Sequence, residues 1–299
     1  MSGAVQVKHC PYLETMAPAV VPSEPLPQRL MALAQTLQFG WFVGHLTLLL
    51  TTLRYAVAAV KFSTSTTSAS IAYRVGFLSA AVTYGIVVYK AYRTRMRTGQ
   101  LPTGQQGAVQ ILSDENVQYL FMALVWLYSK PIFFALLPFA VYSTFHFLTY
   151  LRTNLIPVII PSPAAAAGTK APAPAVSEAI AKFVKNNYDY SMHLVANLEI
   201  FLWLRILAGA IIFKNSWILL AIYTAFLRVR FAQSTFVKDA VKGLERRGDA
   251  ITADAGVPEG VRSAWAIIKT GVKSFGDVSD LSKFMSAPPA TNGAARKTQ

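Results

Sequence analysis

Residues 30–53 and 131–151 contain no Asp, Glu, Lys or Arg. Each stretch is long enough to cross the hydrocarbon core of a bilayer, which takes about 20 residues at a rise of about 1.5 Å. A chain built this way folds against lipid. Hydrophobic residues make up 54% and charged residues 14%, against roughly 25% charged in an average soluble domain. A soluble fold of that composition would expose too much apolar surface to stay dispersed. The single cysteine, Cys10, excludes an intrachain disulfide and any zinc or iron–sulfur site built from cysteines.

The net charge of +14 raises nucleic acid as a partner, and the placement of the charge answers it. Lys90, Arg93, Arg95 and Arg97 follow one apolar run, and Arg228, Arg230, Lys238, Lys242, Arg246 and Arg247 follow another. Basic clusters next to membrane ends mark the cytosolic side. No nucleic-acid-binding motif accompanies them, so no nucleic-acid partner is expected.

The pattern predicts an all-α integral membrane protein with about six apolar helices in three hairpins and a cytosolic amphipathic-helix tail. Residues 1–29 read as a polar cytosolic N-terminus without the apolar core of a signal peptide. Residues 30–152 hold two hairpins, 153–190 a Pro/Ala-rich cytosolic linker, and 191–230 a third hairpin. Residues 231–285 form amphipathic helices, and 286–299 a disordered tail. Residues 116–129 are short for a span of about 30 Å, and so is the third pair. Pro131 suits a helix start, whereas Pro138 falls inside the helix. All hairpins open to one basic side, which puts both termini in the cytosol. Short paired helices that fill one leaflet more than the other offer a route to curvature.

The tail keeps apolar residues at helical spacing. Phe236, Val241 and Leu244 share one face, and Val261, Trp265, Ile268, Val272 and Phe275 form a narrower stripe with Arg262, Lys269 and Lys273 along its flank. A large aromatic, aliphatic neighbours and basic edges suit the headgroup boundary of an anionic, curved membrane. The same stripes would also suit packing on each other or on the bundle. The basic positions Arg262, Lys269 and Lys273 fit anionic lipid or an importin.

Nothing in the chain points to catalysis. His9, His45, His146 and His193 are scattered and fall in no metal-binding spacing, so no metal site, cofactor or catalytic residue is expected. Glu199, Arg205 and His146 are the polar residues expected inside the membrane. Burying a charge at midplane costs about 2.5–3.5 kcal/mol. Glu199 and Arg205 lie six residues apart, on different helix faces. Glu199 is therefore expected at the cytosolic interface, with Arg205 snorkelling or bonded to another span. A small transporter would instead gather Glu199, Arg205 and His146 around a polar cavity.

The run NVQYLFMALVWLYSKPIFFALLPFAVYSTFHFLTYLR, residues 116–152, and the later NLEIFLWLRILAGAIIF with its apolar return and basic helix resemble the transmembrane protein 33 / pore membrane protein of 33 kDa family. The resemblance spans roughly residues 30–275. It implies a non-enzymatic protein of the endoplasmic reticulum and nuclear envelope, acting in nuclear pore assembly or distribution and in membrane curvature. It also implies C-terminal helices that bind curved membrane and an importin, with nuclear pore components and reticulon-type proteins as further partners. General shaping of endoplasmic reticulum tubules is the alternative within the same class.

Overall fold

The computed structural model describes residues 25–99, 104–161 and 174–278. Cys10, most of the N-terminal segment, the centre of the linker and the 286–299 tail lie outside them, as does the Phe275 side chain. Among the described residues every regular element is helical. Four helices are long and apolar enough to cross a membrane: α2 (Leu37–Val60), α3 (Thr67–Arg97), the compound helix Phe133–Ile159, and α8 (Ala175–Ile211). The compound helix consists of α6 (Phe133–Tyr150), a π-helical turn over Leu151–Leu155 and α7 (Ile156–Ile159). The others are α1 (Leu26–Ala34), α4 (Gly104–Leu112), α5 (Glu115–Tyr128), α9 (Trp217–Gln233), α10 (Thr235–Thr252) and α11 (Glu259–Val278).

Local chemistry sets most of the boundaries. Thr36, Thr66, Asp114, Ser216 and Ser234 cap α2, α3, α5, α9 and α10 by accepting from the amides of Phe39, Ala69, Asn116, Ile218 and Val237. Each satisfies an amide that the first helical turn leaves without a partner. The Thr36 cap also divides the expected first apolar run, so α1 is a separate helix before α2. Among its described residues the linker expected over 153–190 is largely helical. The compound helix carries it to Ile159, and α8 begins at Ala175, directly after the last proline of the Pro/Ala stretch. From Ala175 onward no Pro or Gly interrupts the chain before Gly209, so helix propagates freely. Its 37 residues extend about 55 Å, well beyond a hydrocarbon core of about 30 Å.

Aromatic contacts fix how the helices run. Tyr55 of α2 meets Phe133, while Phe42 stacks on Tyr150, so α2 and α6 are antiparallel. Phe134 meets Phe201 and Phe145 meets Tyr188, so α8 is antiparallel to α6. The turns at 61–66, 129–132 and 212–216 therefore share one end of the bundle, termed the far end. The near end carries α1, α4, α10, α11 and the start of α8. Going round the bundle, α2 packs on α3, α3 on α5, α9 on α8, α8 on α6, and α6 back on α2. Phe226 and Tyr223 of α9 close the ring by reaching Tyr119 and Trp126 of α5. The interior is filled by Phe77, Tyr119, Met122, Trp126, Leu136, Phe139, Leu202 and Tyr223. Where α2, α3 and α6 approach closely the chain uses small residues. A Cβ on Gly76 would lie 3.1 Å from Thr51 Oγ1 and 3.3 Å from Leu136, the kind of contact that favours glycine between membrane helices.

Candidate functional site

Inside the ring Glu199 is 1% exposed. Tyr119 of α5 donates to its Oε1 at 2.5 Å, and Arg230 Nε of α9 faces its Oε2 at 3.6 Å. Arg230 also donates to Glu115 Oε1 at 2.9 Å and to the Tyr142 hydroxyl at 3.4 Å. Its guanidinium sits over the Tyr119 ring, 5.3 Å from the centroid. The Tyr119 and Tyr142 hydroxyls are 3.2 Å apart, and Tyr223 donates to the Glu199 carbonyl at 3.2 Å. Beside this cluster Gln118 Nε2 donates to Gln233 Oε1 at 3.1 Å, and Gln233 Nε2 donates to the Ser113 carbonyl at 2.9 Å. Four helices thus converge on one guanidinium. Tyr119 satisfies Glu199 Oε1, and Glu115 and Tyr142 accept from the Arg230 guanidinium, whereas Glu199 Oε2 and Arg230 Nε face each other as an ion pair without a hydrogen bond.

The sequence singled out Glu199 and missed its partners. Tyr119 and Arg230 hold it, Glu115 and Tyr142 in turn hold Arg230, and Arg205 does not. Arg205 is exposed on α8 and reaches along the helix to Gly209, beside the Asn215 amide at the far-end turn, as snorkelling predicts. His146 lies elsewhere again, its ring 4.8 Å from that of His45 and 5.0 Å from that of Trp41. His45 Nδ1 is 2.9 Å from Ser143 Oγ. Glu199, Arg205 and His146 therefore do not share a cavity. The void against Glu199, lined by Tyr119, Trp126, Phe139 and Tyr223, has room for about one water molecule. Among the described residues no three His, Cys, Asp or Glu side chains are grouped to hold a metal.

At the near end α10 follows α9 after the single extended residue Ser234 and packs on α8 and α9. Val237 is fully buried, Phe236 meets the His193 ring edge-on at 4.9 Å, Val241 is half-buried and Leu244 is exposed. α11 then folds back on α10 through the edge of its stripe. Trp265 lies against Gly248, and its Nε1 donates to Asp249 Oδ1 at 2.8 Å. Lys269 reaches Asp249 at 2.8 Å and Glu245 at 4.0 Å, and Lys273 reaches Glu245 at 3.4 Å. Arg262 donates to the carbonyls of Asp254 and Ala255, at 3.0 and 3.2 Å. The hydrogen bonds from Lys269 and Trp265 hold the Asp249 carboxyl below its ordinary range, and the bond to Asp249 raises Lys269. The sequence-predicted stripe is thus divided. Trp265, Lys269 and Lys273 face α10, whereas Val261, Ile268 and Val272 stay open at 50%, 56% and 57% exposure.

The Transmembrane protein 33/Nucleoporin POM33 family model matches residues 25–276. The chain belongs to this family. Among its relatives, Nucleoporin POM33 of Chaetomium thermophilum is 47% identical over 276 residues, covering 89% of this chain and 95% of that protein. Tetra-spanning protein 1 of Schizosaccharomyces pombe is 34% identical, covering 90% and 94%. The Pore membrane protein of 33 kDa of Saccharomyces cerevisiae is 30% identical, covering 82% and 85%. No solved structure matches the chain. The family match takes in both the ring that encloses Glu199 and the docked tail.

Proposed function

We propose that this member of the transmembrane protein 33/POM33 family is a non-enzymatic scaffold of the nuclear pore membrane and endoplasmic reticulum. In this reading the near-end tail wedges into the cytosolic leaflet. The open ridge of Val261, Ile268 and Val272 on α11 carries the proposal, because it lies beside a bundle whose helices are long and apolar enough to cross a membrane. A ridge of that kind gains about 1.5–3 kcal/mol for each large side chain it buries in lipid. The nucleoporin and pore-membrane names of the fungal relatives support the location.

The apolar helices enter as three antiparallel pairs, α2/α3, α5/α6 and α8/α9, opening to a basic cytosolic side that holds both termini. The four helices long and apolar enough to cross a membrane match in number the name of the S. pombe relative, Tetra-spanning protein 1. The shorter α5 and α9 fill one leaflet more than the other, which favours curvature. Leu244, Phe236 and Val241 support the wedge from α10. Lys269, Lys273 and Arg262 sit at its edge, where anionic lipid or an importin would compete with Asp249, Glu245 and the end of α10. Nuclear pore components and reticulon-type proteins are the protein partners in this reading.

The test is the position of the endogenously tagged protein beside a pore marker, with and without Ile268→Asp and Val272→Asp. Punctate coincidence at the nuclear rim that the double variant loses is the expected result. An even signal through peripheral tubules would replace the pore role with general tubule shaping. Unchanged puncta in the double variant would refute the ridge.

A further inference from the structure

Two helices end at the far end in the same unusual way. At the close of α2 the amide of Phe62 bonds to the Ala59 carbonyl at 3.1 Å and that of Ser63 to Ala58 at 2.8 Å. At the close of α8 the amide of Phe213 bonds to Ala210 at 3.0 Å and that of Lys214 to Gly209 at 2.7 Å. Each is a Schellman closure, whose turning residue is left-handed and ordinarily glycine. Here that residue is phenylalanine both times, with φ of 53° at Phe62 and 55° at Phe213. They are the only non-glycine residues with positive φ among the described residues. A side chain with a Cβ is disfavoured in this conformation, and a bulky one more so.

Packing inside the protein does not compensate for that strain. Phe62 is 96% exposed and Phe213 is 85% exposed. Each ring stands beside a lysine, Lys61 before Phe62 and Lys214 after Phe213. The remaining turn of the far end exposes Tyr128 and Lys130. Arg54 and Arg205 reach towards the same end, Arg54 donating to Ser68 and Arg205 lying beside Asn215. Residues 37–113, 116–177 and 200–238 contain no Asp or Glu at all, so the far end is wholly basic.

The geometry points to a second lipid-reading surface. The far end is a collar in which Phe62 and Phe213 insert at the headgroup–acyl boundary of the leaflet opposite the tail, while Lys61, Lys214 and Lys130 hold anionic lipid phosphates. Aromatic rings at this depth and lysines just beyond it are where a bilayer rewards each group. The left-handed turn leaves both rings clear of the protein, at 96% and 85% exposure. The collar rests on the membrane reading of the bundle and is independent of the tail ridge. A failure of one leaves the other standing.

The full chain carrying Cys10→Ala and either Phe62→Cys or Phe213→Cys, labelled with an NBD fluorophore, is reconstituted in phosphatidylcholine vesicles with and without phosphatidylserine. The expected result is strong quenching by lipids spin-labelled near the headgroup and at least severalfold shielding from aqueous iodide, relative to a Ser65→Cys control. Phosphatidylserine should deepen the shielding, and Lys61→Gln with Lys214→Gln should abolish that increment. Inorganic phosphate should not reproduce it. Phe62→Gly with Phe213→Gly should melt no lower than the parent in detergent, because glycine fits the left-handed turn. Iodide-accessible labels in the vesicles, an effect reproduced by free phosphate, or a glycine variant that melts lower would each overturn the collar.

Discussion

Replacing Arg230 with methionine tests whether the charge cluster holds the bundle closed. The methionine keeps an unbranched side chain in the ring but leaves Glu199, 1% exposed, with the Tyr119 hydroxyl as its main partner. Removing one member of a buried pair costs about 3–5 kcal/mol. The part of Arg230 that pairs with Glu115 counts for little, since that carboxylate is 56% exposed and solvent screens such pairs to about 0–1 kcal/mol. The loss is therefore dominated by the stranded Glu199. Glu199→Gln is milder, at about 1–2 kcal/mol, because the amide oxygen still accepts from Tyr119 and Arg230 keeps Glu115. Combining the two substitutions removes the stranded charge, so the double variant should be more stable than Arg230→Met alone. At about 2–4 °C per kcal/mol for a chain of this size, the single arginine variant should lose roughly 6–20 °C in a detergent melting curve. A change of less than 2 °C, or a double variant that loses the sum of the two singles, would refute the account.

Four further outcomes follow from the docked tail. Trp265→Ala should speed hydrogen exchange through α11 without altering exchange in α2 or α3. Gly248→Ala should do the same, because its Cβ would fall on the Trp265 ring, whereas the Cβ of Gly243→Ala meets nothing within 4 Å. The latter should instead stabilise α10 by about 0.5–1 kcal/mol. Asp249 has a depressed pKa in the folded chain, so its contribution to docking is present above its unfolded value and is lost as pH falls through the folded one. Lys269 has a raised pKa, so its contribution is present below its unfolded value and lost as pH rises through the folded one. Protection of the α11 amides, taken relative to their base-catalysed intrinsic exchange rates, should therefore be flat between about pH 5 and pH 9. A transition near pH 6 would show that another group controls docking.

The sequence made the membrane class legible because the two charge-free runs leave no alternative environment. The apolar stripes of the tail are local signals, and helices Thr235–Thr252 and Glu259–Val278 lie either side of the break at Gly256–Pro258. The extent of α8 was hidden because the Pro/Ala bias of residues 157–174 colours the segment after it, although that segment itself is a good helix former. Glu199 was found as a lone carboxylate in an apolar run, but its partner is a matter of register between helices. That register was readable in principle. Glu199 lies thirteen residues before the turn at Ile212, and Arg230 lies fourteen after Ser216, so an antiparallel pair brings them to one level. Arg205, only seven residues from the turn, could not reach it. Tyr119 and Tyr142 come from other helices, and no local pattern announces them.

The position of Arg230 links the two halves of the molecule. Only Phe231, Ala232, Gln233 and Ser234 separate it from the first residue of α10, and Gln233 within that interval bonds to Gln118 and Ser113. The end of α9 is therefore pinned on two sides just before the chain turns into the tail. An amphipathic helix on a loose tether binds a membrane but exerts little bending, because the tether absorbs its tilt. Here the proposed wedge starts from a fixed point, and α10 is held against α8 and α9 by Val237 and Phe236. Insertion of the Val261, Ile268 and Val272 ridge would then load the bundle directly. On this logic Arg230→Met should reduce membrane deformation by the full chain in giant vesicles even where the variant still binds. Deformation equal to that of the parent at matched protein density would show that the wedge acts without the clamp.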